Sequence, residues 1–178
     1  MKKILLCFFC GTILLSCNND KDKPAATVAT DNSVKSTVDL PYTPNYSSSW
    51  SQDVSDADLK TVLMTYKDWS DANIGGLTGA MADTVTLDMS SGDHMKLPNA
   101  DLMKMWTTFR DSLSSVKISM DGWNKMYSTD KKEGYIVTWY DETDTYKTGK
   151  VDSASYHDIN MLKDGKIVWY SQYKRPKK

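Results

Sequence analysis

The spacing of apolar residues changes character twice along this chain, near residue 54 and again near residue 116. An uncharged apolar run, Ile4 to Leu15, stands at the start. From Asn18 to Asp53 no helical or strand period can be found. That stretch is rich in Ser, Thr, Asn, Asp and Lys and carries Pro24, Pro41 and Pro44. Without clustered large aliphatics it buries too little apolar surface to offset the entropy of ordering, so residues 17–53 read as a flexible tether. Tyr42, Tyr46 and Trp50 are the exceptions, with the bulk to dock on a neighbouring domain.

Beyond residue 54 the period is helical. Ser55 suits an N-cap, Asp56 and Asp58 suit a first turn, and Leu59, Val62, Leu63, Tyr66 and Trp69 recur on one face. Gly75 and Gly76 are expected to break this helix, with a short second helix over Leu77–Met81. Thr84 to Met89 alternates as a strand does, and Ser90 to Pro98 reads as a loop. Asn99 then caps a helix whose Leu102, Met105, Trp106, Phe109 and Leu113 share a face.

After Ser115 the period falls to two. Val116, Ile118 and Met120 alternate, a β-branched and aromatic run covers Tyr135–Tyr146, and further strands cover Val151–Leu162 and Ile167–Tyr173. Turns fall at Asp130–Gly134, at Thr148-Gly149 and at Lys163–Lys166, where Asp164-Gly165 is a strong hairpin signal. Helices followed by a meander of antiparallel strands predict an α+β fold, with helices on one face of a sheet. The domain is assigned to 54–178.

Composition narrows the chemistry. The chain has 178 residues, 40% hydrophobic and 25% charged, with net charge −1, which fits one globular domain plus an appendage. This balance gives no broad basic footprint, and the basic tail Lys174–Lys178 is short, so no nucleic-acid partner is expected. All three cysteines lie at or before Cys17, which excludes a disulfide, a thiolate zinc site or a cysteine nucleophile from Asn18 onward. His94 and His157 do not form a metal-ligand spacing, and no phosphate loop or nucleotide fingerprint is found, so neither metal nor cofactor is expected.

Two resemblances add to this. Lys2 and Lys3, the short apolar run and Leu14-Leu15-Ser16-Cys17 resemble a secretory signal ending in a bacterial lipobox. The resemblance implies a signal peptide over residues 1–16 and a lipid on Cys17 that anchors the chain to a membrane in the cell envelope. Because Asn18 rather than aspartate follows the cysteine, it implies the outer membrane in a cell that has one. The second lies in Gly79-Ala80-Met81-Ala82-Asp83-Thr84-Val85-Thr86-Leu87-Asp88 and in Tyr156-His157-Asp158-Ile159-Asn160-Met161-Leu162-Lys163-Asp164-Gly165-Lys166-Ile167. These stretches, with the order of elements, resemble the nuclear transport factor 2-like superfamily, in its SnoaL-like branch. The resemblance implies a cone, its curved sheet wrapped around the helices, with a pocket at the wide end.

It also implies site residues. Asp88 matches the catalytic aspartate base of the ketosteroid isomerase relatives, although strand alternation sets it on the face opposite Val85 and Leu87. Tyr66 stands where those enzymes carry an oxyanion-donating tyrosine. Apart from the resemblance, the alternation of Ile159 and Met161 with Asp158 and Asn160 predicts that the odd face of this strand points inward and takes His157 with it, as a proton carrier or a hydrogen-bonding core histidine. Trp106, Trp139 and Trp169 are the candidate walls of a pocket for a flat apolar ligand. The leading expectation is a lipid-anchored pocket protein for a small, largely apolar molecule. The alternatives are acid–base catalysis beside a carbonyl and a protein-interaction or homodimerisation module.

Overall fold

The computed structural model describes residues 39–177. The signal run, Cys17 and the tether as far as residue 38 lie outside the described residues. The segment before the first helix is packed further than expected. Strand β1 (Trp50–Ser51) joins the edge of the sheet, Trp50 opposite Ser128 and Ser51 opposite Tyr127. Ser47 is buried and its hydroxyl donates to Asp130 at 2.5 Å. Trp50 meets Tyr135 edge-on with ring centroids 5.9 Å apart, and the Tyr46 and Tyr135 hydroxyls lie 2.5 Å apart. Packing therefore starts near Tyr46 rather than Val54. Tyr42 stays exposed.

Helix α1 (Asp56–Ser70) starts on its cap: the Ser55 hydroxyl accepts from the Asp58 amide at 3.0 Å. It ends before the two glycines, at Asp71, and Ala72 turns the chain with φ 59°. Gly75 and Gly76 consequently lie inside α2 (Ile74–Gly79) instead of breaking α1. The Asn73 side chain caps α2 by accepting from the Gly76 amide at 3.1 Å. A Cβ at Gly76 would stand 2.3 Å from Asn73 Nδ2 and 2.6 Å from Asp68 Oδ2, so only glycine leaves room for this cap.

Strand β2 (Met81–Asp88) pairs antiparallel with β3 (His94–Pro98), a short strand within the segment expected as a loop. Helix α3 (Asn99–Asp111) has Pro98 at its N-cap position and no side-chain cap, so Asn99 is its first residue and not the cap expected. Asn99 turns its amide to the carbonyls of Thr78, at 2.8 Å, and Ala82, at 3.2 Å, which ties α3 to α2 and β2. Arg110 is buried and donates to the carbonyls of Trp69, at 3.0 Å, and Ser70, at 3.1 Å, a cation at the C-terminal end of α1 where the helix dipole favours one. Four long strands follow: β4 (Leu113–Ser128), which takes Leu113 from the expected helix, β5 (Glu133–Tyr146), β6 (Val151–Lys163) and β7 (Lys166–Pro176). The β6–β7 turn has φ 52° at Asp164 and 73° at Gly165, the conformation for which an Asp-Gly pair is suited.

The seven strands form one curved sheet in the order β1-β4-β5-β6-β7-β2-β3. It is mixed, not wholly antiparallel, because β2 runs parallel to β7. A parallel neighbour needs a long crossover, here α3 and four strands, whereas every other pair is antiparallel. Val62 of α1, Leu102 of α3, Leu87, Ile136 and Ile167 are fully buried between helices and sheet. The α+β expectation holds in this form.

Candidate functional site

Strand alternation decides which side chains meet the helices. On β5 the inner face carries Thr138, Tyr140, Glu142 and Asp144; on β6 it carries Tyr156, Asp158 and Asn160; Tyr170 and Gln172 continue it on β7. Between this face, α1, α3 and the β2–β3 turn lies a cavity of about 420 Å³. Trp69, Trp106, Phe109, Met89, Met95 and Met105 form its apolar walls, and Tyr66, Tyr140, Asn160 and Tyr170 its polar floor.

Asp158 sits behind that floor with no exposed surface. Its Oδ2 accepts from the hydroxyls of Tyr140 at 2.8 Å, Tyr170 at 2.8 Å and Tyr66 at 3.1 Å, while Oδ1 has no partner. Burial pushes the Asp158 carboxyl up to about 7, with the three phenols offsetting part of the cost. Burial, followed by neighbouring charge, holds Tyr66, Tyr140 and Tyr170 well above the ordinary phenol value. Tyr66 also shares a 2.6 Å hydrogen bond with Thr138, and Gln172 donates to the Tyr170 hydroxyl at 2.9 Å. Asn160 donates to the Tyr66 hydroxyl at 3.3 Å, so with the hydroxyl hydrogens drawn toward Asp158 the Tyr140 oxygen is the phenol acceptor left without a donor among the described residues.

A second acidic group stands along the same face. Burial, and then the charges of Asp144 and Asp158, push Glu142 up to about 8. Burial also raises Asp144, whose exposure is 6% and whose Oδ1 has no partner. Asp152 is paired with Lys174 at 2.9 Å, and this ammonium lies 5.6 Å from the Tyr156 ring centroid.

Of the residues singled out in the sequence, the structure brings Tyr66 and Trp106 together in the cavity. His157 is exposed on the opposite face of the sheet, its ring 6.1 Å from Trp139. The parity expected for β6 is thus reversed: the even residues point inward, and Asp158, not His157, is the buried titratable group. Trp139 faces outward beside His157. Trp169 also lies on the outer face, where its indole donates to Asp88 Oδ2 at 2.6 Å. Asp88 takes His94 as a second partner at 2.5 Å and is held below the usual carboxylate range, by His94 first and then Trp169. This is the outward placement that alternation expected. The sequence signal that would have found Asp158 is the bulk of its even neighbours Tyr156 and Leu162, both buried.

No protein-family model and no curated protein matches the sequence. Solved structures do match its shape. The epoxide hydrolase of M. tuberculosis described as LEH-like aligns with a TM-score of 0.57 at 7% identity, over 67% of this chain and 83% of that one. AusH from Aspergillus nidulans aligns at 0.55 and 14% identity, over 68% and 86%. An NTF2-like protein from Anabaena variabilis aligns at 0.55 and 15% identity, over 69% and 92%. At such identities the likeness carries the fold alone, and the fold of this chain is the nuclear transport factor 2-like one.

Proposed function

We propose that this chain is a lipid-anchored cell-envelope protein whose cavity holds a small, largely apolar molecule with a hydrogen-bond-donating end directed at the tyrosine floor. The observation that carries this reading is the pairing of Trp69, Trp106 and three methionines with a floor whose hydroxyl hydrogens are committed to Asp158. An apolar body gains by leaving water on those walls, and a donor group meets the Tyr140 hydroxyl oxygen, which accepts from no other group among the described residues. Native mass spectrometry of the chain purified from its own cell tests it. A retained small molecule is expected, lost or weakened at least tenfold in Trp106→Ala. An empty cavity, with no apolar probe bound at millimolar concentration, would sink the reading.

The anchor rests on Leu14-Leu15-Ser16-Cys17 after the uncharged run. Each buried lipid methylene contributes about 0.8 kcal/mol, so several acyl chains on one cysteine hold a protein almost permanently. Cys17→Ser is expected to move the protein from the membrane to the soluble fraction, to the outer membrane's loss where the cell has one. Retention of the variant in the membrane would refute lipidation at Cys17.

One observation favours a second reading, acid–base chemistry beside a carbonyl. A carboxyl near 7 behind three phenols is suited to exchange a proton near neutral pH. Similarity of shape to an epoxide hydrolase is compatible with it. Asp158→Asn separates the two: a catalyst loses turnover and keeps binding, whereas a binding protein has no turnover to lose.

A further inference from the structure

Resting on the pocket reading above, we propose that the molecule held in this cavity is an organic amine, bound in its protonated form between the aromatic walls and the Glu142–Asp144 pair. Glu142 and Asp144 are two residues apart on β5 and so project from the same face, and both line the cavity. Asp144 is nine-tenths buried, lines the open space and leaves Oδ1 unpartnered. A buried carboxylate oxygen without a donor is costly, and a ligand N–H removes the cost.

Charge around the cavity points the same way. Asp93, Glu142, Asp144 and Asp152 line it, against Lys174 alone. The Lys174 ammonium already donates to Asp152, and Arg110 spends its hydrogens on the carbonyls of Trp69, Ser70 and Leu113. Among the described residues neither cation forms an ion pair with Glu142 or Asp144, although the charges of Lys174 and Arg110 are felt at Asp144. Burial, joined at Glu142 by the charge of Asp144 and at Asp144 by that of Asp152, keeps both carboxyls reluctant to ionise although Lys174 offsets part of this, and a cation entering beside them relieves what remains.

The walls select an organic cation over a hydrated metal ion. Trp69 stacks on Phe109 with rings 5.9 Å apart and 3° from parallel, and Tyr140 stacks on Tyr156 at 5.2 Å and 11°. Such faces attract a weakly hydrated ammonium and its apolar body. The protein makes such a contact itself nearby, where Lys174 lies over the Tyr156 ring and pairs with Asp152, opposite Asp144 in the sheet. The tyrosine floor, with the Tyr140 oxygen left to accept, likewise favours a ligand that donates.

Three probes sharing one bicyclic body test this on the full chain by calorimetry: 2-naphthylmethylamine, 2-naphthylmethanol and 2-naphthoate. The amine is expected to bind at least tenfold tighter than the alcohol, with the carboxylate weakest. In Glu142→Gln/Asp144→Asn the amine should fall to the affinity of the alcohol, while the alcohol itself changes less than threefold. The wild-type series decides the matter even if the double variant fails to fold. Equal binding of amine and alcohol, or preference for the carboxylate, overturns the amine while leaving the pocket reading intact. Binding of none of the three overturns both.

Discussion

Asp158 alone is expected to cost the protein about 4 kcal/mol of stability as pH is raised from 4 to 8, and Asp158→Asn should remove that share of the pH dependence. The cause is the carboxyl behind the tyrosine floor, moved by burial from the ordinary 3.8 to about 7. A carboxyl that holds its proton more tightly when folded stabilises the fold fully below the unfolded value. That contribution disappears as pH climbs through the folded value. Glu142, pushed to about 8 by burial and its acidic neighbours, acts in the same direction. Carboxyls held low, such as Asp130 at about 2, exert their effect mainly at more acid pH. Asparagine keeps an oxygen for the three phenols and cannot ionise. Urea unfolding at several pH values measures the slope. A flat wild-type profile from pH 5 to 8 would mean that Asp158 is solvated or ion-paired in solution.

A chain beginning at Ser51 should still fold, but with about 3 kcal/mol less stability than the full chain. It would lose Tyr46, Ser47 and Trp50. Ser128, with no exposed surface, would give up the Ser47 hydroxyl at 3.0 Å, and Asp130 would lose one of its two serine donors. Tyr135 would also lose the edge-on contact with Trp50. The comparison is of urea midpoints for the two chains. Coincident midpoints would mean that this segment adds nothing, and an unfolded short chain would mean that it is indispensable.

The helices and long strands were legible because their apolar spacing is strong: Val62 and Tyr66 in α1, Leu102 in α3, Ile136 and Tyr140 in β5 are all buried. The face of β6 was misread for a physical reason. Alternation assumes that the inner face of a sheet is the apolar one, yet around a cavity the inner face is polar and satisfies itself, as Asp158 does with three phenols. The outer positions Ile159 and Met161 then look like core while sharing a face with Trp139, Trp169 and Tyr173. Gly75 and Gly76 misled in another way. The break in α1 comes from Ala72 at positive φ, whereas Gly76 serves close approach to Asn73 and Asp68. Strand β1, only two residues long, has no period to detect, and the β2–β7 partnership joins segments too distant for any local signal.

That partnership has a kinetic side. Met81 pairs with Ile167 and Leu87 with Tyr170, so the β2–β3 hairpin borders the sheet only through the last strand described. During synthesis the ribosome delivers the hairpin and α3 long before β7 exists, and until then β2 has one bare hydrogen-bonding edge. The four-strand run β4 to β7 can zip through successive short turns, each a cheap loop closure, while docking of β2 must close a loop of many tens of residues. The slow phase of refolding should therefore report on β2 meeting β7. In this interval the exposed strand edge makes the nascent chain most prone to pair with a stranger.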